Sequence, residues 1–531
     1  MTIYSAQFLL FLLLGFIIYY SVQRIMPGKQ WYILLILSLV FYYFSGVNNF
    51  IYIFSTAVTT WIGAKISYNF YKSYQVIKKN KTIDRNIRKK YKSKMLFKKR
   101  VVLIVVLLIN FGILGYIKYW PTFWNELSPF FTGTSSELSQ LLLPLGISFY
   151  TFQSMGYMID IHNDKYVPES NFFKFLLFVS FFPQLIQGPI NRFDKLAIQL
   201  YEIHTINLIR IKRAFILFCF GALKKFAIAD LLSPSVSVIL DSTNMHLPGS
   251  IISLGIFLYA IQQYADFSGG IDMVLAVAEL FGIKMAQNFR QPYFSTSLGD
   301  FWRRWHITLG AWMRDYVFYP FALTKTMINF GKWSGTHFGK HFGRVLPACI
   351  GNLIVFFLVG IWHGPQLHFI LWGLYNGIII ALTDLCHPIF QRILQMLKIN
   401  IRSKRYHIFL ILLTFFIVNV AGYFDRIEDV HKSLVYMWNT LFYFQANAFH
   451  SYYHSMIFPK MHGLTITIVC VSLILVFINS VFQEKGIDTY TAILRKNIFL
   501  QCMLFYFVFV LIVVGFMIAP AGAGGFMYEH F

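Results

Sequence analysis

Apolar stretches long enough to cross a lipid bilayer recur from one end of this 531-residue chain to the other. Each needs about 20 residues to cover the hydrocarbon core. With 57% hydrophobic and only 13% charged residues, the chain has too little polar surface for a water-soluble globular fold of this size. The class it predicts is an all-α polytopic integral membrane protein. Spans are expected near 8–23, 31–46, 50–71, 101–119, 141–161, 214–240, 250–283, 345–361, 366–385, 406–423, 464–482 and 498–518. That is about twelve crossings. No repeat of fixed period and no low-complexity linker interrupts them, so residues 1–531 read as one integrated domain.

The 46 Lys and Arg against 22 Asp and Glu give a formal charge of +24. In a soluble protein such an excess suggests nucleic acid. Here the basic residues lie between apolar spans, so topology accounts for them and no nucleic-acid partner is expected. The segment YKSYQVIKKNKTIDRNIRKKYKSKMLFKKR (71–100) contains one acid, Asp84, and places the basic 72–100 loop in the cytoplasm. Loops 325–344 and 392–405 belong on the same side, and PTFWNELSPFFTGTSSELSQ (121–140) outside. Both termini then face outward. The run FFKFLLFVSFFPQLIQGPI (172–190) has basic flanks at both ends and reads as re-entrant or buried. The five cysteines (219, 349, 386, 470 and 502) show neither pairing nor metal spacing, and no metal is expected.

Three polar interruptions could carry chemistry. In LVGIWHGPQLHFILWGLYNG (358–377), His363 stands before Gly364 and Pro365, where the backbone should break at the outer tip of a hairpin. His363 there is either a loop histidine capping a helix or a functional group. In YFSTSLGDFWRRWHITLGAWMRDYVFYP (293–320), Ser297 and Asp300 mark a helix start. Trp302, Trp305, Leu309, Trp312 and Tyr316 then repeat on one face. Arg303, Arg304 and Arg314 avoid that face, as in an interfacial helix on the cytoplasmic side. His306 beside the arginines could meet an anionic cofactor, or the same arginines could hold lipid headgroups. In YAIQQYADFSGGIDMVLAVAELFG (259–282), Asp266, Asp272 and Glu279 lie in an apolar segment, where carboxylates are costly and are functional candidates. Asp272 and Glu279 read better as buried polar links between helices. Gly269 and Gly270 allow a bend or a close helix approach.

Together these stretches resemble the membrane-bound O-acyltransferase family, in the branch of the bacterial alginate and peptidoglycan O-acetylation membrane subunits. The resemblance runs through LPLGISFYTFQSMGY (143–157), FPQLIQGPI (182–190), ALKKFAIAD (222–230), YADFSGGIDM (264–273), NFRQPYFSTSLGDFWRRWHITLGAWMRDYVFYP (288–320), GIWHGPQLHFILWGLYNG (360–377) and GFMYEHF (525–531). It implies an MBOAT-like core over 143–385 with C-terminal helices over 406–531, in the bacterial plasma membrane. It also implies His363 and His306 as catalytic residues, and Arg303, Arg304, Trp305, Trp362 and Asp266 as substrate- or donor-binding. The activity implied is transfer of an acyl group, acetyl foremost, from a cytosolic thioester, either acetyl-CoA or an acyl carrier. The acceptor would be a cell-surface or secreted polysaccharide, reached with an extracytoplasmic SGNH-hydrolase-like partner. D-alanyl transfer to teichoic acids and a non-enzymatic transporter or flippase remain the alternatives. Two departures fall after Tyr319 and at GYFDRIEDV (422–430). His306 is expected at the cytoplasmic face and His363 toward the outer face, with the acyl group passing between them.

Overall fold

The computed structural model describes residues 3–132, 143–520 and 525–526, and among these it contains helices and no strand. Contacts divide the chain into two compact units where the sequence reads as one domain. The first comprises residues up to Ala214 with Val274–Ala286, and the second Phe215–Met273 with the chain from Gln287 onward.

The first unit is built on α1 (Ala6–Ile25), α2 (Gln30–Tyr43), α3 (Phe50–Lys79), α4 (Arg85–Thr132), α5 (Ile147–His162), α6 (Phe172–Ser180), α7 (Phe182–Gln187) and α8 (Phe193–Tyr201). The basic 72–100 segment is not an open loop. It is the end of α3, a short turn, and the first turns of α4, a helix about 72 Å long at 1.5 Å per residue. The stretch expected outside from 121 continues this helix to Thr132, and residues 133–140 lie outside the described residues. The 172–190 run is buried, as two short helices. Asn171 caps α6 by accepting from the Phe173 and Lys174 N–H groups. Pro183 opens α7, where a missing N–H costs nothing. Gln153 and Gln184 both donate to the Phe178 carbonyl, at 2.9 and 2.7 Å, satisfying backbone that no water reaches.

Helices α9 (Leu208–Lys224) and α11 (Gly249–Leu280) contribute to both units. The second unit adds α10 (Asp230–Leu240), α12 (Leu298–Arg304), α13 (Ile307–Met313), α14 (Tyr319–Ala322), α15 (Lys325–Phe338), α16 (Lys340–His363), α17 (Leu367–Met396), α18 (Lys404–Arg426), α19 (Val430–Phe442), α20 (Phe449–Tyr452), α21 (Gly463–Glu484), α22 (Thr489–Leu494) and α23 (Ile498–Ile518). Its core gathers Leu223, Ile228, Leu231, Ile252, Tyr436 and Val476. Seven helices among the described residues are long and apolar enough to cross a membrane: α1, α4, α16, α17, α18, α21 and α23. The chain is thus a multi-pass membrane protein. The longer expected count included runs that fold as helices of 14 residues (α2) and 16 residues (α5), which fall short of a bilayer. It also included α11, which is long enough but carries Asp266, Asp272 and Glu279.

Those acids are paired. Lys225 lies in a π-helical turn between α9 and α10, and its Nζ contacts Asp266 at 2.6 Å and Asp230 at 2.9 Å. It also donates to the Gly525 carbonyl at 2.7 Å. Lys224 reaches Asp272 at 2.5 Å and Ser268 at 2.9 Å. In the first unit Arg213 pairs with Glu279. The helices can meet this closely because they touch at glycine. A Cβ on Gly269 would stand 2.8 Å from the Gly221 carbonyl oxygen, and one on Gly221 would stand 2.7 Å from that of Gly269. Helix α11 runs through Gly269 and Gly270 without interruption, and Gly269 serves the close approach to α9. Gly269→Val is therefore expected to destabilise the protein by about 1–3 kcal/mol through overpacking. A thermal melt in detergent that matched the unsubstituted protein would show that the two helices can separate freely.

Candidate active site

The amphipathic segment after Ser297 starts as the sequence indicates: the Ser297 hydroxyl accepts from the Asp300 N–H at 3.1 Å. It does not continue as one helix. Helix α12 ends at Arg304, and α13 begins at Ile307. Between them His306 holds φ +46°, ψ +50°, a left-handed conformation that costs a non-glycine residue about 1–3 kcal/mol. An extended strip of chain clamps the break. The Arg290 N–H donates to the Arg304 carbonyl and the Ile307 N–H to the Asn288 carbonyl, both at 2.9 Å.

The Asn288 side chain decides the state of His306. Its Oδ1 accepts from the Thr308 backbone N–H at 3.1 Å and from the Thr308 hydroxyl at 2.9 Å. A backbone N–H can only donate, so the contacted atom must be the amide oxygen, which settles the orientation of this amide. His306 Nδ1 lies 3.2 Å from the same oxygen and must therefore carry the proton. The neutral ring then presents a lone pair at Nε2. Burial pushes the imidazole down to about 3, so it is neutral at pH 7. The ring packs edgewise on Phe267, centroids 5.0 Å apart, and on Trp362 at 5.9 Å.

His363 is the last residue of α16, so the helix breaks where the sequence places it. Pro365 sits in the linker, two residues before α17, not in its first turn. The His363 ring is 6% exposed and lies against Trp362 (4.9 Å), Trp372 (4.7 Å) and Phe369 (5.7 Å). Helices α16 and α17 come together here through small residues. A Cβ on Gly373 would stand 2.3 Å from the Phe356 carbonyl oxygen, and one on Gly360 would stand 2.6 Å from that of Phe369. Trp362 thus touches both imidazoles. The expectation that the two histidines work at opposite faces is overturned: one indole ring separates them.

The remaining candidates divide. Trp305 is buried within a ring cluster of Phe289 (5.1 Å), Phe301 (5.4 Å) and Tyr293 (6.4 Å). Trp302 Nε1 donates to Asn376 at 3.1 Å, and its ring meets Trp372 at 5.5 Å. Trp302, Trp305 and Trp372 wall a cavity of about 40 Å³, whose polar lining includes Asn376, Gln263 and Asp425. Asp425 accepts there from Tyr259 at 2.8 Å and from Gln263 at 2.5 Å. Arg303 is largely exposed, 3.4 Å from Asp300. Arg304 is not displayed: its Nη1 donates to both oxygens of Glu484, at 3.0 and 2.8 Å, and its Nε faces Asp300 at 3.1 Å. Asp266 is held by Lys225 at 2.6 Å. Sequence reasoning passed over Asn288, Asn376 and Asp425. For Asn376 and Asp425, a polar group within a membrane-length apolar helix was the available signal.

Residues 167–336, about a third of the chain, match the family model of MBOAT, the membrane-bound O-acyltransferase family. The matched range contains His306, while His363 lies beyond it. Among curated proteins the chain is 32% identical over 333 residues to the probable alginate O-acetylase AlgI of Pseudomonas syringae pv. tomato, covering 62% of this chain and 58% of that protein. It is 28% identical over 369 residues to the peptidoglycan O-acetyltransferase of Helicobacter pylori, covering 63% and 64%. It is 27% identical over 280 residues to the teichoic acid D-alanyltransferase of Bacillus subtilis, covering 51% and 66%. The chain spans less than two thirds of the length of each of these relatives.

The depressed pKa of His306 has a stability consequence. Its folded value, about 3, lies below the usual 6.5, so the unfolded chain binds the extra proton in that window. Stability is full above pH 6.5 and is lost as pH falls toward 3, by up to about 1.4 kcal/mol per pH unit. His306→Asn should remove this slope. Unfolding in detergent between pH 7.5 and 5 would check it, and equal losses in both proteins would mean that folded His306 takes up the proton normally.

Proposed function

We propose that this chain is a membrane O-acyltransferase that moves an acyl group, acetyl in the favoured reading, from a cytosolic thioester to a hydroxyl of a cell-surface or secreted polysaccharide. The observation that carries the proposal is the pairing of two buried histidines across Trp362. The similarity to proteins named for alginate and peptidoglycan O-acetylation supports acetyl as the group. The transporter alternative loses support because Asp266, its candidate ion site, is committed to Lys225.

In this mechanism His363 takes the proton from the acceptor hydroxyl. The hydroxyl oxygen attacks the thioester carbonyl carbon, the C–S bond breaks, and the thiolate receives the proton from His363. A positioned base of this kind contributes roughly 10²–10⁴-fold. His306 orients the substrates. With its Nδ1–H directed to Asn288, its Nε2 accepts a hydrogen bond from a substrate O–H or N–H. It does not donate to a developing oxyanion. Arg303, exposed on α12, is the remaining candidate for an anionic donor, either acetyl-CoA or an acyl carrier. An extracytoplasmic SGNH-hydrolase-like partner brings the polysaccharide hydroxyl to this site from the outer side.

A single shared site makes a sharp prediction. His306→Ala and His363→Ala should each lower acyl transfer by about 10²–10⁴-fold and should both disturb donor binding at equal membrane abundance. Labelled acetyl transfer and labelled D-alanyl transfer to the cell's own polysaccharides are the readouts. D-alanyl transfer alone would replace the acetyl reading, and near-normal acetyl transfer by the His363 variant would remove the mechanism. Topology is tested separately by a cysteine at Ser73, on α3, with the five native cysteines replaced. An impermeant thiol reagent should fail to label it from outside intact cells, and labelling would invert the proposed orientation.

A further inference from the structure

Away from both histidines, α21, α22, α23 and the end of α9 enclose a groove of about 480 Å³. That volume is within the roughly 300–1,000 Å³ of small-molecule sites. Its long wall is apolar: Phe220, Leu223, Ile478, Phe482, Leu500 and Leu504. Helices α21 and α23 are both membrane-length, and Ile478 and Phe482 are half-exposed on their outer sides. An apolar groove between two membrane-length helices suits a lipid tail.

One end of it is polar and cationic. Asn479, Thr489 and Lys496 line this end, and the Thr489 hydroxyl bonds to Asn479 Oδ1 at 2.5 Å. Lys496 stands on the turn leading into α23 and makes no ion pair among the described residues. The turn is braced by Gln501, which donates to the Lys496 carbonyl at 2.8 Å and the Leu494 carbonyl at 3.1 Å. Immediately after it, Asn497 caps α23 by accepting from the Leu500 N–H at 2.8 Å. A 21-residue helix thus directs the positive end of its dipole to the place where Lys496 holds its charge. The same end is tied to the active-site loop. Glu484 binds Arg304, and Gln291 donates to Gln483 at 2.5 Å.

We propose that this groove is a binding site for an anionic phospholipid of the bilayer, with one acyl chain along the α21–α23 wall and the phosphate at Lys496 and the α23 N-terminus. The apolar length alone would admit any lipid tail. The unpaired lysine and the helix N-terminus at one end select a negative headgroup over a zwitterionic one. The site does not depend on the acyl-transfer reading, since none of its lining residues belongs to the histidine pair.

The test uses phosphatidylglycerol carrying a photoactivatable diazirine in one acyl chain, in phosphatidylcholine vesicles holding the full-length protein. After irradiation, adducts should concentrate on the peptides carrying Ile216–Leu223 and Leu500–Val508. The same tail on phosphatidylcholine should label these peptides about fivefold less. Lys496→Ala should abolish that difference. Leu504→Trp, which fills the groove, should reduce adducts from both lipids; Leu500→Trp is the second variant should that one fail to fold. Equal labelling by the two headgroups, adducts spread evenly over all lipid-facing helices, or a headgroup preference that survives Lys496→Ala would each overturn the proposal.

Discussion

Three donors converge on one amide oxygen, Asn288 Oδ1, and the local architecture of the candidate site depends on that convergence. Without it the left-handed turn at His306, an unfavourable backbone state, would be held by the two backbone bonds of the 288–290 strip alone. With it, α12 stops, α13 starts in a new direction, and the imidazole is delivered to Trp362 with a defined tautomer. A buried amide that satisfies two neighbouring side chains and one backbone N–H is a costly group to leave unpaired. That cost is what makes a single asparagine sufficient to fix a break between two short helices.

The rest of the second unit meets the same requirement by charge. Lys224 and Lys225 would be expensive in an apolar helix, as would Asp266, Asp272 and Asp230. Here the two lysines pair with the three carboxylates at 2.5–2.9 Å. Removing one partner would strand the others, so the cluster specifies which helices meet. The glycine contact between α9 and α11 supplies the closeness these pairs need. Intramembrane carboxylates are often read as transport sites. Here their partners show a structural use.

The proximity of His306 and His363 changes the mechanistic picture. Histidines at opposite faces would need a carried acyl group and two half-reactions. Two imidazoles that both pack on Trp362 instead stand at one place, as the proposed shared site requires. The nearby space walled by Trp302, Trp305 and Trp372 is only about 40 Å³, room for a few waters.

The sequence by itself determined the class of protein, the membrane-length helices, the helix start at Ser297 and the break after His363. Each of these is encoded locally, in apolar run length, in a capping hydroxyl or in a Gly-Pro pair. It also displayed the motif blocks that carry the resemblance to membrane-bound O-acyltransferases. Only the tertiary structure decided what those blocks do to one another. Arg304 reads as an exposed phosphate ligand until Glu484, 180 residues away, takes its fork. Asn288 carries no signal until Thr308 and His306 fold back onto it, and no run or period says that His306 lies one ring from His363. Such meetings depend on where helices cross, which glycine contacts and buried hydrogen bonds set between segments distant in the chain, and a local pattern of hydrophobicity contains no record of them.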